Sequence, residues 1–186
     1  YITINISSPN TEGLRDFHKS TMLKNLLSKI NEIREKSNFK KSFLIKISPD
    51  IDDSYIDNII NLILEYRIDG VILTNTTSDN RESLLDKKKV EKGGLSGKPL
   101  RGLSTKFIKR FYKDLRGKTT IIGVGGVDSG DSAFEKITSG ATAVQLYTGM
   151  IYKGPGVVKE IKKDLINLLN KNGFKSITEA VGSDSN

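Results

Sequence analysis

FLIKISPDIDDSYIDNIINLILEYRIDGVILTNTT, residues 43–77, holds one complete strand–helix–strand unit, and its reading decides the fold. FLIKI (43–47) and VILTN (71–75) are short, apolar and rich in β-branched residues. Between them Ile56, Ile59, Ile60, Ile63 and Leu64 recur at helical spacing, behind the N-cap candidates Asp53 and Ser54. Two strands joined through a helix are predicted to run parallel, because the crossover returns the chain to the same end of the sheet. Their nearly unbroken apolarity predicts burial on both faces.

The same unit repeats outward. ITINI (2–6), TIIGV (120–124) and AVQLY (143–147) read as three further strands. Met22, Leu23, Leu26, Leu27, Ile30 and Ile33 form an apolar helical stripe. Ser104 is predicted to cap a helix carrying Phe107, Ile108, Phe111 and Leu115. DSAFEKITSG reads as a short helix ending at Gly140, and Pro155 opens a long helix to about Asn172, stopped by Gly173. The expectation is an α/β chain with a parallel sheet and helices outside it. The longest break in the pattern, residues 76–103, is too long for an idle connection and predicts a functional loop.

Composition removes several classes of chemistry. The 186 residues suffice for one domain with a sizeable core. No apolar run approaches the ~20 residues that span a bilayer. The sequence opens directly into a strand without a basic n-region, so no secretory leader is expected in it. Zero Cys excludes disulfides, thiolate catalysis and cysteine metal sites, and the single His18, expected at the surface or in a loop, cannot form a histidine metal cluster. The net charge of +8 raises nucleic-acid binding, but Lys and Arg are mixed with Asp and Glu along helices, as in EIREKSNFKK and KEIKKDL. Aromatic residues do not alternate with basic ones either, so no nucleic-acid partner is expected.

Polar or glycine-rich chemistry follows every strand: Asn5 with SSPN, Lys46 within the second, Thr74-Asn75-Thr76, Gly123-Val124-Gly125-Gly126, and Tyr147-Thr148-Gly149. Barrel and open α/β enzymes place their sites at those C-terminal strand ends. GVGGVDSG fails as a dinucleotide fingerprint because Asp128 stands where the third Gly belongs, and GGLSGKPL fails as a P-loop at Pro99. Both still suit phosphate, since glycines let backbone N–H groups approach an anion; tight turns without a ligand are the plainer alternative. Lys46, flanked by Ile45 and Ile47, needs an anionic or electron-rich partner unless it snorkels to solvent. Asn5 and Asn75 at strand ends offer donor and acceptor together, as a flat heterocycle requires, or serve as turn residues. Asn5-Ile6-Ser7 and Asn75-Thr76-Thr77 also fit the glycosylation sequon, a reading their strand-end positions disfavour.

The ordered set NISSPNT, KISPD, TNTT, GGLSGKPLRGLST, IIGVGGVDSG, GA-x-x-VQLYT and KGP resembles the dihydroorotate dehydrogenases, most closely the quinone-linked class, over essentially the whole chain. The resemblance implies a flavin-dependent (β/α)₈ barrel that oxidises dihydroorotate to orotate in pyrimidine synthesis. It implies Ser8 as the catalytic base, where the cytosolic class carries Cys, with Thr11 as the outlet for its proton. Asn5, Asn10, Asn75 and Thr76 would bind the pyrimidine and its carboxylate. Lys46, with Asn5 and Thr74, would contact the FMN ring, and Gly97, Gly126, Tyr147 and Thr148 its phosphate and ribityl chain. Residues 11–20 resemble a mobile lid with Gly13 as a flexing point.

A full barrel needs eight strands and roughly 250 residues. The five strands here match the fourth to eighth, so the chain is expected to be the C-terminal part of one FMN-binding barrel domain. The N-terminal strands, and the helices that carry the quinone site and touch the membrane, would lie outside it. The class implies peripheral attachment at the cytoplasmic membrane in a bacterium, or at the mitochondrial inner membrane in a eukaryote. By itself the segment is expected to aggregate or pair with another chain and to hold FMN weakly or not at all. The alternatives are a non-catalytic half-barrel completed in trans and an FMN barrel acting on another cyclic substrate.

Overall fold

A computed structural model describes residues 1–37, 40–79, 81, 82 and 84–185. Its five strands, β1 (Ile2–Asn5), β2 (Phe43–Ile47), β3 (Gly70–Leu73), β4 (Thr120–Val124) and β5 (Ala143–Gln145), form one parallel sheet in the order β1-β2-β3-β4-β5. A doubly wound sheet reverses its strand order at a switch point. This one never reverses, and it is a five-stranded arc of a (β/α)₈ barrel.

Three helices cover the outer face: α1 (Ser20–Ser37), α2 (Asp53–Glu65) and α3 (Arg101–Leu115). Ile45, Ile47, Val71, Leu73 and Ile121 from the strands pack there against Leu23, Leu27, Ile59, Ile63, Phe107, Ile108 and Phe111. Each such side chain contributes roughly 1.5–3 kcal/mol on burial. A second cluster joins Val127 to α4 (Gly130–Thr138), α6 (Val157–Lys171) and α7 (Ile177–Ala180). Alternation sends Leu44, Ile72 and Ile122 to the opposite face, where with Val124 they make a small separate cluster. Lys46 pairs in register with Ile72 and therefore shares this inner face.

Two caps differ from expectation. The N-cap of α2 is Asp52, whose side chain accepts from the Ser54 N–H at 2.8 Å; Asp53 is already helical. Ser104 is not a cap, because α3 begins at Arg101 behind a 3₁₀ turn at Lys98–Leu100 that uses Pro99. Ser104 is instead fully buried and donates to the Val124 carbonyl at the end of β4. The helix after KGP begins at Val157 and is followed by Gly173 at φ +77°, as its stop signal predicts. Two short helices were not legible: α5 (Thr148–Lys153) and α7. α7 does carry a cap signature, Ser176 accepting from the Glu179 N–H while the Glu179 carboxylate accepts from the Lys175 N–H.

Candidate active site

The ladder continues past β3 and fixes the TNTT segment. The Thr74 N–H bonds the Val124 carbonyl at 3.0 Å and the Asn75 N–H bonds the Ile47 carbonyl at 2.9 Å. Asn75 and Thr76 are thereby held between the ends of β2 and β4, facing a cavity of about 910 Å³ above the inner face. Lys46, Thr74, Asn75, Thr76, Gly97, Gly126, Tyr147 and Thr148 all line it. Eight of the sequence candidates are thus brought to one cavity. Asn5, Ser8, Asn10 and Thr11 are not among the lining residues. Asn5 nonetheless pairs in register with Lys46, which puts the two side chains next to each other on the inner face.

Lys46 is half-buried, and burial lowers its pKa below the ordinary 10.5. Among the described residues its ammonium has no hydrogen-bond or ion-pair partner, so the cost of placing it there is left for a ligand to offset.

On the far side of the cavity backbone, rather than side chains, does the shaping. A Cβ on Gly126 (φ +74°) would lie 2.5 Å from the Arg101 Cβ and 2.8 Å from its Cα. One on Gly97 (φ +81°) would lie 2.9 Å from the Thr148 Cγ2, and the Thr148 hydroxyl is 2.8 Å from that of Ser96. Gly97 thus packs on Thr148 and Gly125-Gly126 on the first turn of α3, which leaves main chain rather than side chain exposed to the cavity at these segments. Cations edge this region: Lys98 lies 3.6 Å from the Asp128 carboxylate, and Lys153 donates to the Asp128 carbonyl at 2.7 Å.

The first-strand segment forms a side-chain network. Asn5 Oδ1 accepts from the Ser7 hydroxyl at 2.7 Å, and the Ser7 oxygen accepts from Asn75 Nδ2 at 2.9 Å. Ser7, fully buried, thus joins the two strand-end asparagines. Its neighbour Ser8 is partly exposed, its oxygen accepting the Asn10 N–H at 3.2 Å. No hydrogen bond joins Ser8 to Thr11, the expected proton outlet. Donation by the Asn10 N–H stabilises negative charge on the Ser8 oxygen, as a base requires.

Residues 11–20 are held down at their second half. Leu14–His18 form a 3₁₀ turn behind Gly13 at φ +72°. Contrary to the surface position expected for it, His18 is 3% exposed; its Nδ1–H donates to the Arg15 carbonyl at 2.9 Å, and its Nε2 accepts the Ser48 N–H at 3.3 Å. Burial, the largest cause, holds its pKa below 6.5. Asp50, its side chain 5% exposed, is a hub that sequence reasoning missed. It accepts from Arg15 at 2.9 Å, from the Ser78 N–H at 2.6 Å and from the Thr77 hydroxyl, tying residues 11–20 to the segment after β3.

The long 76–103 segment, apart from residues 80 and 83, which lie outside the described residues, is an organised flap. Thr77 and Leu95 exchange backbone hydrogen bonds of 3.2 and 2.7 Å. Arg81 donates to the carbonyls of Ser78, Lys89, Glu91 and Gly93. Gly94 lies against the Thr76 side chain and Pro9, so the returning arm of the flap packs on the TNTT segment at the cavity's edge.

Among the described residues no group of three or more His, Asp or Glu side chains is placed to hold a metal, and no helix is long and apolar enough to cross a membrane.

The dihydroorotate dehydrogenase family pattern matches residues 1–169. The chain is 45% identical to the dihydroorotate dehydrogenase (quinone) of Trichodesmium erythraeum, over 98% of this chain and 49% of that protein. It is 46% identical to the mitochondrial dihydroorotate dehydrogenase (quinone) of Mus musculus, over 99% and 47%. The ligand-free crystal structure of the Eimeria tenella enzyme superposes with a TM-score of 0.92 at 37% identity, over 99% of this chain and 56% of that one. The chain spans about half the length of the curated relatives it matches. Over that span sequence and fold agree, and the chain belongs to the dihydroorotate dehydrogenase family.

Proposed function

We propose that this chain supplies the catalytic face of a quinone-linked dihydroorotate dehydrogenase, which oxidises dihydroorotate to orotate in pyrimidine synthesis and passes the electrons to a quinone. The observation that carries the reading is Lys46: a half-buried ammonium without a partner among the described residues, on the inner face between the TNTT segment and a glycine-shaped cradle. FMN fits this arrangement. Its phosphate suits the close-packed backbone at Gly97, Gly126 and Thr148, and its electron-rich ring edge suits Lys46 beside Asn5 and Thr74. A cavity of about 910 Å³ is of the size that holds such a ligand. When bound, FMN supplies the hydride acceptor.

The chain's own groups do the rest. Asn5, Asn75 and Thr76, with Asn10 from the lid, hold the pyrimidine ring and its carboxylate by paired donors and acceptors. Ser8 takes the C5 proton as its own hydroxyl proton leaves for Thr11, in the same segment, and Thr11 passes its own to solvent; the Asn10 N–H steadies negative charge on the Ser8 oxygen during the exchange. Lys46 stabilises negative charge as electrons leave the substrate. Closure of residues 11–20 excludes water from the transfer.

We further propose that residues 1–186 contribute strands four to eight of one barrel domain. The remaining strands, and the helices for quinone and peripheral membrane contact, are supplied by sequence outside this chain. The test is anaerobic absorbance of the flavin-loaded full-length protein. Dihydroorotate bleaches the flavin, and other reduced pyrimidines do not; bleaching by a different cyclic substrate alone would overturn the assignment.

A second reading, a half-barrel completed by a partner chain, is favoured by the lateral edges of β1 and β5, which among the described residues pair on one side only. It predicts that this segment expressed alone is aggregated and colourless until the complementary segment is added. A yellow soluble monomer by size-exclusion would exclude it.

A further inference from the structure

Lys136 on α4 is fully buried, and nothing in the chemistry above uses it. Its Nζ donates to the Arg101 carbonyl at 2.7 Å and to the Thr105 hydroxyl oxygen at 2.6 Å. The Thr105 hydroxyl lies 2.9 Å from both the Arg101 carbonyl and Glu135 Oε1, and Arg101 Nε closes the ring onto Glu135 Oε2 at 2.6 Å. The cluster holds two cations and one carboxylate, so it carries one excess positive charge behind the first turn of α3.

That turn is the surface on which the glycine loop rests. Gly126 abuts the Arg101 backbone so closely that no Cβ would fit, and a Cβ on Gly125 would lie 3.0 Å from that of Ser104 and 3.1 Å from Leu100. A Cβ on Gly123 would lie 3.2 Å from the Lys136 Cβ, so the stem of the lysine also backs the strand that delivers the loop. A displacement of Arg101 is therefore passed to the loop without slack.

We propose that Lys136 is a positioning residue for a phosphate monoester at the Gly97–Gly126–Thr148 cradle, fixing the first turn of α3 and lending it the cluster's excess charge. This deepens the FMN reading above and rests on it. A helix pair needing glue alone would be served by apolar contacts, whereas a buried ammonium is costly unless its charge is used. Burial lowers its pKa to about 8. The charged groups acting on it are Arg101 from α3 and Glu135 from α4, and Gly123 of β4 backs its stem.

The test compares two flavins that differ only in the phosphate. FMN and riboflavin are titrated into the apo form of the full-length protein, with flavin fluorescence as the readout. Lys136→Met is expected to weaken FMN at least tenfold and leave riboflavin within twofold. Thr105→Val, which removes one Nζ acceptor and keeps the volume, is expected to shift the FMN-to-riboflavin ratio in the same direction by a smaller factor. In the wild type that ratio falls as pH rises from 7 to 9, because the amine loses its charge while the phosphate is already doubly ionised above about pH 6; in Lys136→Met it is flat. Equal weakening of both flavins, or a pH-independent wild-type ratio, would overturn the proposal and leave the FMN reading intact. If Lys136→Met does not fold, Thr105→Val and the pH series decide. Failure of the wild type to bind FMN at all would overturn both.

Discussion

The two ends of the strand arc are built on opposite principles. Around β1 and β2 the polar groups are side chains bonded to side chains: Asn5 to Ser7 to Asn75, and Asp50 to Arg15 and Thr77. Around β4 and β5 they are main-chain groups brought together by glycines whose missing Cβ atoms leave room for nothing else. A side-chain network can be trimmed one bond at a time and fails by degrees, each buried partner left alone costing about 1–3 kcal/mol. A backbone cradle has no such gradation, because any added atom moves the chain. The first end suits a substrate that enters and leaves. The second suits a group that stays.

Four substitutions test this contrast. Ser8→Ala should lower dye-coupled turnover by about 10²–10⁴-fold while flavin absorbance is unchanged, since it removes a proton acceptor and nothing from the cradle. Near-normal turnover would remove Ser8 from the mechanism. Gly126→Ala should do the reverse. A left-handed φ of +74° costs an L-residue roughly 1–2 kcal/mol before the overlap with Arg101 is counted. Flavin content of the purified protein should fall by about tenfold or more, and normal loading would show that the loop has slack.

Ser7→Ala should raise the KM for dihydroorotate by roughly tenfold, because Asn5 and Asn75 lose the hydroxyl that orients both. Flavin content should hold, and an unchanged KM would mean that the two asparagines are positioned independently. The smallest effect concerns His18. Its folded pKa lies below 6.5, so as pH falls through 6.5 the unfolded chain takes up a proton that the folded one refuses. Stability is therefore complete above about pH 7 and declines below 6.5 until the folded pKa is reached. Thermal melts of the wild type from pH 7.5 to 5.5 should fall more steeply than those of His18→Gln, and parallel slopes would exclude His18 as the cause.

The same contrast governs what could be read in the sequence. The backbone end was legible: glycines after strands four and five announce tight approach whatever surrounds them, and the Pro99 and Asp128 departures ruled out the common phosphate motifs. The parallel sheet followed from apolar runs separated by helical stripes, whereas its sequential strand order came only with the family resemblance. The side-chain end was legible only in part. Ser7 and Ser8 lie beyond the end of β1, where alternation no longer says which serine turns inward, so the buried hub Ser7 was passed over. Asp50 finds its partners 35 and 27 residues away, and no local pattern signals such a meeting. His18 looked like a loop residue because the turn that buries it is only five residues long. Ser104 looked like a cap because serine usually is one; tertiary packing, with the Val124 carbonyl in need of a donor, used it within the helix instead.

Arg81 has a consequence for variation. One guanidinium gathers four carbonyls spread over residues 78–93, so both feet of the flap are fixed by a single side chain while Leu85 at its crest stands almost wholly in solvent. The crest is thereby uncoupled from the cavity wall that begins at Gly94. Lengthening, shortening or recolouring it is free to proceed without disturbing the chemistry beneath, which makes this crest the natural place to hang an affinity handle or a fluorophore.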